Sequence, residues 1–280
     1  MRIAYLDCFS GISGDMTLAA LVDAGADRVR IEEELRKLPL GAFRLEWRQV
    51  VKNGVSALKV EVIDEEHARQ QDGHRKELRV LSHGHHHHHH SDGDHHHHHH
   101  HHGDGGHHHH EHRRYKEIVQ MIEQANLHPR VTARALAVFA KIGEAEAKIH
   151  NIPVETVHFH EVGAIDSIVD VVGIALALED LGIDQLYCGP VPTGNGYVRC
   201  DHGLYPVPAP ATMEMLKGIP LRSTAIQKEL TTPTGAGLAA ALVKQFGPVP
   251  SMTVDAVGYG AGTRDLPDQP NVLRVLVGRA

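Results

Sequence analysis

Residues 2–25 read RIAYLDCFSGISGDMTLAALVDAG, and the way this run changes texture decides the fold class. Residues 2–8, short and mostly apolar, read as a buried strand. FSGISGD is a loop of small residues, and MTLAALVDAG continues as a short apolar helix that stops at Gly25. A second short helix follows. FRLEWRQVV and VSALKVEVI then read as two strands separated by KNG, with Asn53-Gly54 at the centre of a hairpin turn. Strand, helix, short helix and hairpin do not make a clean βαβ unit, so a doubly wound dinucleotide fold is not expected.

Further along, three segments carry helical spacing: YKEIVQMIEQANL before Pro129, RVTARALAVFAKIGEAEAKIHN, and GAIDSIVDVVGIALALEDLG closed by Gly182. From residue 184 the chain returns to strand pieces: QLYCGPVPTG, NGYVRC, IPLRS, TVDAVGYGAG and NVLRVLVG. Between them lie a short helix, PAPATMEMLKG, and a longer one, TPTGAGLAAALVKQFG. The sum predicts an α+β protein with mixed sheets, a helical layer and two lobes. Its segments are 1–81 (β-α-β-β), 82–113 (a disordered loop), 114–182 (helical) and 183–280 (α+β).

The loop at 82–113 is the densest feature in the chain. Twenty of the 27 histidines fall within 83–114, interrupted by Ser, Asp and Gly. A segment this polar cannot offset its ordering entropy by burial. Purification tags are terminal and uninterrupted, whereas this run is internal. Neutral imidazoles bind borderline divalent metals, so His85, His90, His95, His102, His107 and His110 are read as metal-loading residues. Composition does not choose among nickel, copper, zinc and cobalt.

The net charge of −7 and the 4% aromatic content exclude a nucleic-acid partner: there is little to neutralise phosphates and little to stack bases. Cys8, Cys188 and Cys200 show no CxxC spacing, which argues against a zinc ribbon or a disulfide framework. The start lacks a signal-peptide design and no window is apolar enough to span a bilayer, so a cytoplasmic protein without membrane contact is expected.

Five motifs carry candidate chemistry. In LDCFSGISGDM, Asp7 ends the strand and Ser10, Ser13 and Asp15 lead into a helix whose free N–H groups can hold a phosphate; an ordinary helix cap explains the same residues. In VHFHEVGAIDSIVD, His158 and His160 alternate to one side of an extended segment, followed by Glu161 as further metal ligand. Asp166 and Asp170 follow at i,i+4 on one helix face, a like-charge pairing that costs roughly 0.2–0.5 kcal/mol. Asp170 sits among Ile168, Val169, Val171 and Val172, where an acid needs a partner. A solvated carboxylate face and a satisfied histidine pair are the plainer readings. In PVPTGNGYVRCDHGLYPVPAPAT, Cys200 and His202 form a CxH pair able to take a metal, with Cys200 also a possible nucleophile or simply a small buried residue. In ELTTPTGAGLAAAL, Thr232 and Thr234 crowd a helix entrance that suits an anion or a plain cap. In GYGAGTRDLPDQPNVLR, a Gly-rich turn presents Arg264 toward a phosphate or to solvent.

Taken in order, YLDCFSGISGDM, the internal His-rich loop, VHFHEVGAIDSIVDVVG, GNGYVRCDHG…PVPAPAT, LTTPTGA and GYGAGTRD…PNVLR resemble the nickel insertion proteins of nickel-pincer cofactor biosynthesis, the LarC family, along the whole chain. The resemblance implies a lyase-type, CTP-dependent insertion of Ni2+ into pyridinium-3,5-bisthiocarboxylic acid mononucleotide, making the cofactor of lactate racemase. It implies a CTP site, with its divalent metal, in a further C-terminal domain beyond this chain, acting in trans if the two are separate. Lactate racemase is the implied recipient, and a homo-oligomer is expected. The residues above then divide into catalytic (Asp7, Asp15, Asp166, Asp170, Cys200), phosphate-binding (Ser10, Ser13, Thr232, Thr234, Arg264) and metal-binding sets. Two rival readings stand beside it: a nickel store or metallochaperone, and a metal-dependent nucleotide hydrolase.

Overall fold

The computed structural model describes residues 1–65, 113–159, 162–200 and 203–280. The α+β class holds. One seven-stranded mixed sheet runs in the order β11-β6-β1-β13-β12-β3-β2, built from β1 (Arg2–Asp7), β2 (Phe43–Lys52), β3 (Val55–Asp64), β6 (Gln185–Cys188), β11 (Val243–Phe246), β12 (Thr253–Ala261) and β13 (Val272–Arg279). Strands from both ends of the chain thus share a single sheet: β1 pairs in parallel with β6 and antiparallel with β13. The remaining short strands pair outside it, as β4 (Arg113–Arg114) with β5 (His158–Phe159), β7 (Val191–Pro192) with β10 (Leu221–Arg222), and β8 (Tyr197–Cys200) with β9 (Gly203–Pro206).

The β2–β3 hairpin turns at Asn53-Gly54, both with positive φ (44° and 82°), the geometry that a two-residue hairpin loop demands. The helices are α1 (Gly14–Asp23), α2 (Arg28–Leu35), α3 (Tyr115–Gln124), α4 (Pro129–His150), α5 (Ile165–Asp180), α6 (Pro210–Met215) and α7 (Pro233–Leu242). The texture of TPTGAGLAAALVKQFG predicts a last helix running on to residue 247. Instead VKQF forms β11, because Val243 and Phe246 pack on the core while the chain takes up the open edge of β6.

Helix α1 is buried along nearly its whole length, from Gly14 to Leu21. It rests on β12, β13 and β3 and is overlaid by α5, so it has no solvent face to keep polar. The glycines of GYGAG make that seat. A Cβ on Gly260 would lie 1.8 Å from the Met16 carbonyl oxygen, and one on Gly258 2.0 Å from that of Ala20. These two glycines belong to β12 rather than to a turn, and they bring helix backbone directly onto strand backbone. Among the described residues, no helix is long and apolar enough to cross a membrane.

Candidate functional site

The loop between β1 and α1 is pinned to the entrance of α7. The Ile12 N–H donates to the Leu230 carbonyl (3.0 Å), and the Thr232 N–H donates back to the Ile12 carbonyl (3.1 Å). No side chain fits between them, since a Cβ on Gly235 would fall 2.0 Å from the Ile12 carbonyl oxygen. Helix α5 lies across the same place. A Cβ on Gly14 would meet the Asp170 Oδ2 at 2.5 Å, so glycine alone lets the start of α1 sit against that carboxylate.

Three helix N-termini, those of α1, α5 and α7, therefore open on one cleft of about 430 Å³. Six residues singled out in three distant motifs line it: Ser13, Asp15, Asp166, Asp170, Thr232 and Thr234. Much of the local polarity is already engaged. The Ser13 hydroxyl donates to the Asp15 carboxylate. Asp166 Oδ1 accepts from the Ser167 N–H (2.7 Å), and Thr232 Oγ1 accepts from the Gly235 N–H (3.2 Å). Asp170 differs. It is 8% exposed, and its Oδ1 is buried with no hydrogen-bond partner. Burial pushes the Asp170 carboxyl well above the usual range, helped by the charges of Asp15 and Asp166 and opposed by Lys59.

Lys59, which the sequence reading did not select, is 4% exposed on β3 and lines the cleft. Its ammonium donates to Thr263 Oγ1 (2.8 Å) and pairs with Glu61 (3.3 Å). The signal was faint: one lysine in an apolar strand reads as its solvent face. Glu61, Glu229 and Thr263 join the lining as well. With five carboxylates and one ammonium, the cleft favours a cation over an anion.

Other candidates stand elsewhere. Asp7 ends β1 in an ion pair with Arg274, whose Nε donates at 3.0 Å, and it does not line the cleft. Ser10 is buried, donating to the Pro270 carbonyl (2.6 Å) and accepting from Gln269 (2.8 Å). Arg264 donates to the Glu229 carbonyl (2.7 Å), so it holds a cleft residue from behind. Cys200 lines a neighbouring apolar pocket, and its Sγ lies 3.6 Å from the Gly203 carbonyl oxygen. His158 is exposed on β5, opposite Arg114. His160, Glu161, His202 and the loop histidines His85, His90, His95, His102, His107 and His110 lie outside the described residues. Among the described residues, no three His, Cys, Asp or Glu side chains form a metal-holding group.

The comparisons with known proteins agree on one family. The model of a family described as nickel insertion protein matches residues 4–280. The pyridinium-3,5-bisthiocarboxylic acid mononucleotide nickel insertion protein of Geobacillus kaustophilus is 51% identical over 278 residues, covering 99% of this chain and 60% of that protein. The protein of the same name from Staphylococcus epidermidis is 45% identical, over 98% of this chain and 59% of its own length. A putative nickel insertion protein of Citrifermentans bemidjiense is 42% identical over the full chain and 62% of its own length. No solved structure matches. The chain spans about 60% of the length of these curated relatives. It belongs to the nickel insertion protein family.

Proposed function

We propose that this chain takes part in inserting nickel into pyridinium-3,5-bisthiocarboxylic acid mononucleotide, and that the carboxylate cleft presents the incoming ion. The observation that carries the reading is Asp170: a buried carboxylate with an orphan oxygen, facing the cleft beside Asp15 and Asp166. Burying such a group without a partner is costly, and a divalent cation would supply the partner. Carboxylate oxygens hold nickel less firmly than sulfur donors of a thiocarboxylate. Transfer from cleft to substrate is then downhill. Ser13, Thr232 and Thr234 line the same cleft and offer it hydroxyl oxygens rather than charge to neutralise a bare phosphate.

The His-rich loop concentrates nickel for this cleft, with His160 and Glu161 as the first ligands beyond it. CTP use and delivery to lactate racemase belong to the same proposal and rest on the resemblance; no described residue is assigned to CTP. A nickel store needs no orphan acid at the junction of three helices, and that favours insertion over storage.

The test is nickel insertion into the mononucleotide, with the portion of a relative that this chain does not span supplied in trans. At saturating nickel, Asp170→Asn is expected to lower the rate at least about tenfold, the loss of one strong charge-assisted ligand. Deleting residues 83–112 is expected to slow insertion only when nickel is limiting. Unchanged insertion by Asp170→Asn would remove the cleft from the reaction. Loss of insertion at saturating nickel on deleting the loop would make the loop part of the reacting site.

A further inference from the structure

An apolar pocket lies beside the carboxylate cleft. Phe159, Tyr205, Val198, Pro210 and Val162 form its walls. Phe159 is held rigidly, edge-on to Tyr115 (6.2 Å between centroids, 81°) and tilted on Phe139 (6.3 Å). One polar atom stands out: Thr212, on α6, is completely buried, and its Oγ1 has no hydrogen-bond partner. Glu146, in an ion pair with His150 (3.3 Å), and Glu229 also line the pocket. Val162, Glu229 and Pro233 line both pocket and cleft, so the two share a wall.

We propose that this pocket seats the aromatic ring of the mononucleotide substrate, with its thiocarboxylate edge turned to the shared wall and the carboxylate cleft. The inference rests on the cleft being where nickel is presented. Three features match a pyridinium ring. Flat apolar and aromatic walls suit a planar ring, and aromatic faces attract a cationic one. Glu146, which lines the pocket but not the cleft, stands away from the shared wall and complements the fixed positive charge of the ring nitrogen. The orphan hydroxyl of Thr212 can donate to a thiocarboxylate, and small-molecule pockets are built this way, from apolar walls and a few placed polar groups. A ring here would lie against Val162 and Pro233 with its metal-binding edge toward Asp15, Asp166 and Asp170. Thr212 is thus assigned as a binding residue, and Ala211 beside it as a position where bulk would block the ring.

The experiment is calorimetric binding of the metal-free mononucleotide to the intact chain, with cytidine monophosphate as the comparison ligand. Thr212→Val is expected to weaken binding roughly tenfold, with Thr212→Ser restoring it. The same Val variant should unfold at a slightly higher temperature, because it removes a buried orphan hydroxyl. A purely structural threonine would not split affinity from stability in this way. Ala211→Phe, checked for native circular dichroism, is expected to abolish binding. Wild-type affinity in both Thr212→Val and Ala211→Phe overturns the assignment, as does an intact chain that binds cytidine monophosphate but not the pyridinium compound. Asp170→Asn separates this inference from the one beneath it. Normal ring binding with lost insertion supports both. Lost ring affinity in Thr212→Val alongside normal insertion by Asp170→Asn removes the cleft and keeps the ring site.

Discussion

Asp7 and Asp170 look alike in the sequence, each an acid set in an apolar run, yet their surroundings differ. The end of β1 places Asp7 against Arg274, where both partners keep some solvent: the side chains are 22% and 41% exposed. The floor of the cleft places Asp170 among carboxylates with one oxygen unsatisfied and almost no solvent. The first acid is already answered by the fold. The second is left open. A carboxylate whose partner the fold withholds is the stronger pointer to a ligand.

The largest effect should come from breaking the packing that creates this difference. Gly260→Val would force α1 off the sheet, since even a Cβ there meets the Met16 carbonyl oxygen at 1.8 Å. We expect a loss of about 3 kcal/mol or more in urea unfolding, at the upper end for overpacking. Gly14→Ala would push directly on Asp170 and should cost about 1–3 kcal/mol. If either variant unfolds like the native chain, the close seat of α1 is not what holds the cleft together.

Asp170→Asn sharpens the contrast through pH. The folded carboxyl titrates above its ordinary value of 3.8, so the folded state holds the proton more tightly than the unfolded chain. The group costs nothing below the unfolded value and costs progressively more as pH climbs toward the folded one. Metal-free Asp170→Asn should therefore melt above the native protein at pH 8 and close to it at pH 4. A difference in melting temperature that does not change with pH would mean that Asp170 is charged and satisfied. At the small end, Asp7→Asn should cost only about 0–1 kcal/mol, as half-exposed ion pairs do, and leave nickel insertion within about twofold. A large loss of insertion would return Asp7 to the site.

Much of the fold was legible. The turn at Asn53-Gly54 was set by local chemistry, and α4 and α5 by apolar spacing, because in each the deciding interactions are a few residues apart. The six cleft residues were legible one motif at a time, since a helix start rich in Ser, Thr and Asp is a local signal. Their meeting was not, because it depends on Gly14 against Asp170, Gly235 against Ile12, and the bonds of Ile12 to Leu230 and Thr232, which link segments more than 150 residues apart. Lys59 was hidden by the alternation of β3, and the pairing of Asp7 by the distance to Arg274. VKQF carried a helical texture and became strand because an open sheet edge beside it decided the matter.

The glycine seat of α1 bears on how the cleft behaves when empty. Contacts between side chains can be lost by rotamer hopping, but a helix backbone lying on a strand backbone has no rotamers to change. The Ser13–Asp15 end of the cleft is fixed in depth by Gly258 and Gly260 before any ion arrives. Ordering costs that a flexible site would meet on binding were met when the chain folded, so this end of the cleft is preformed for whatever ligand it takes.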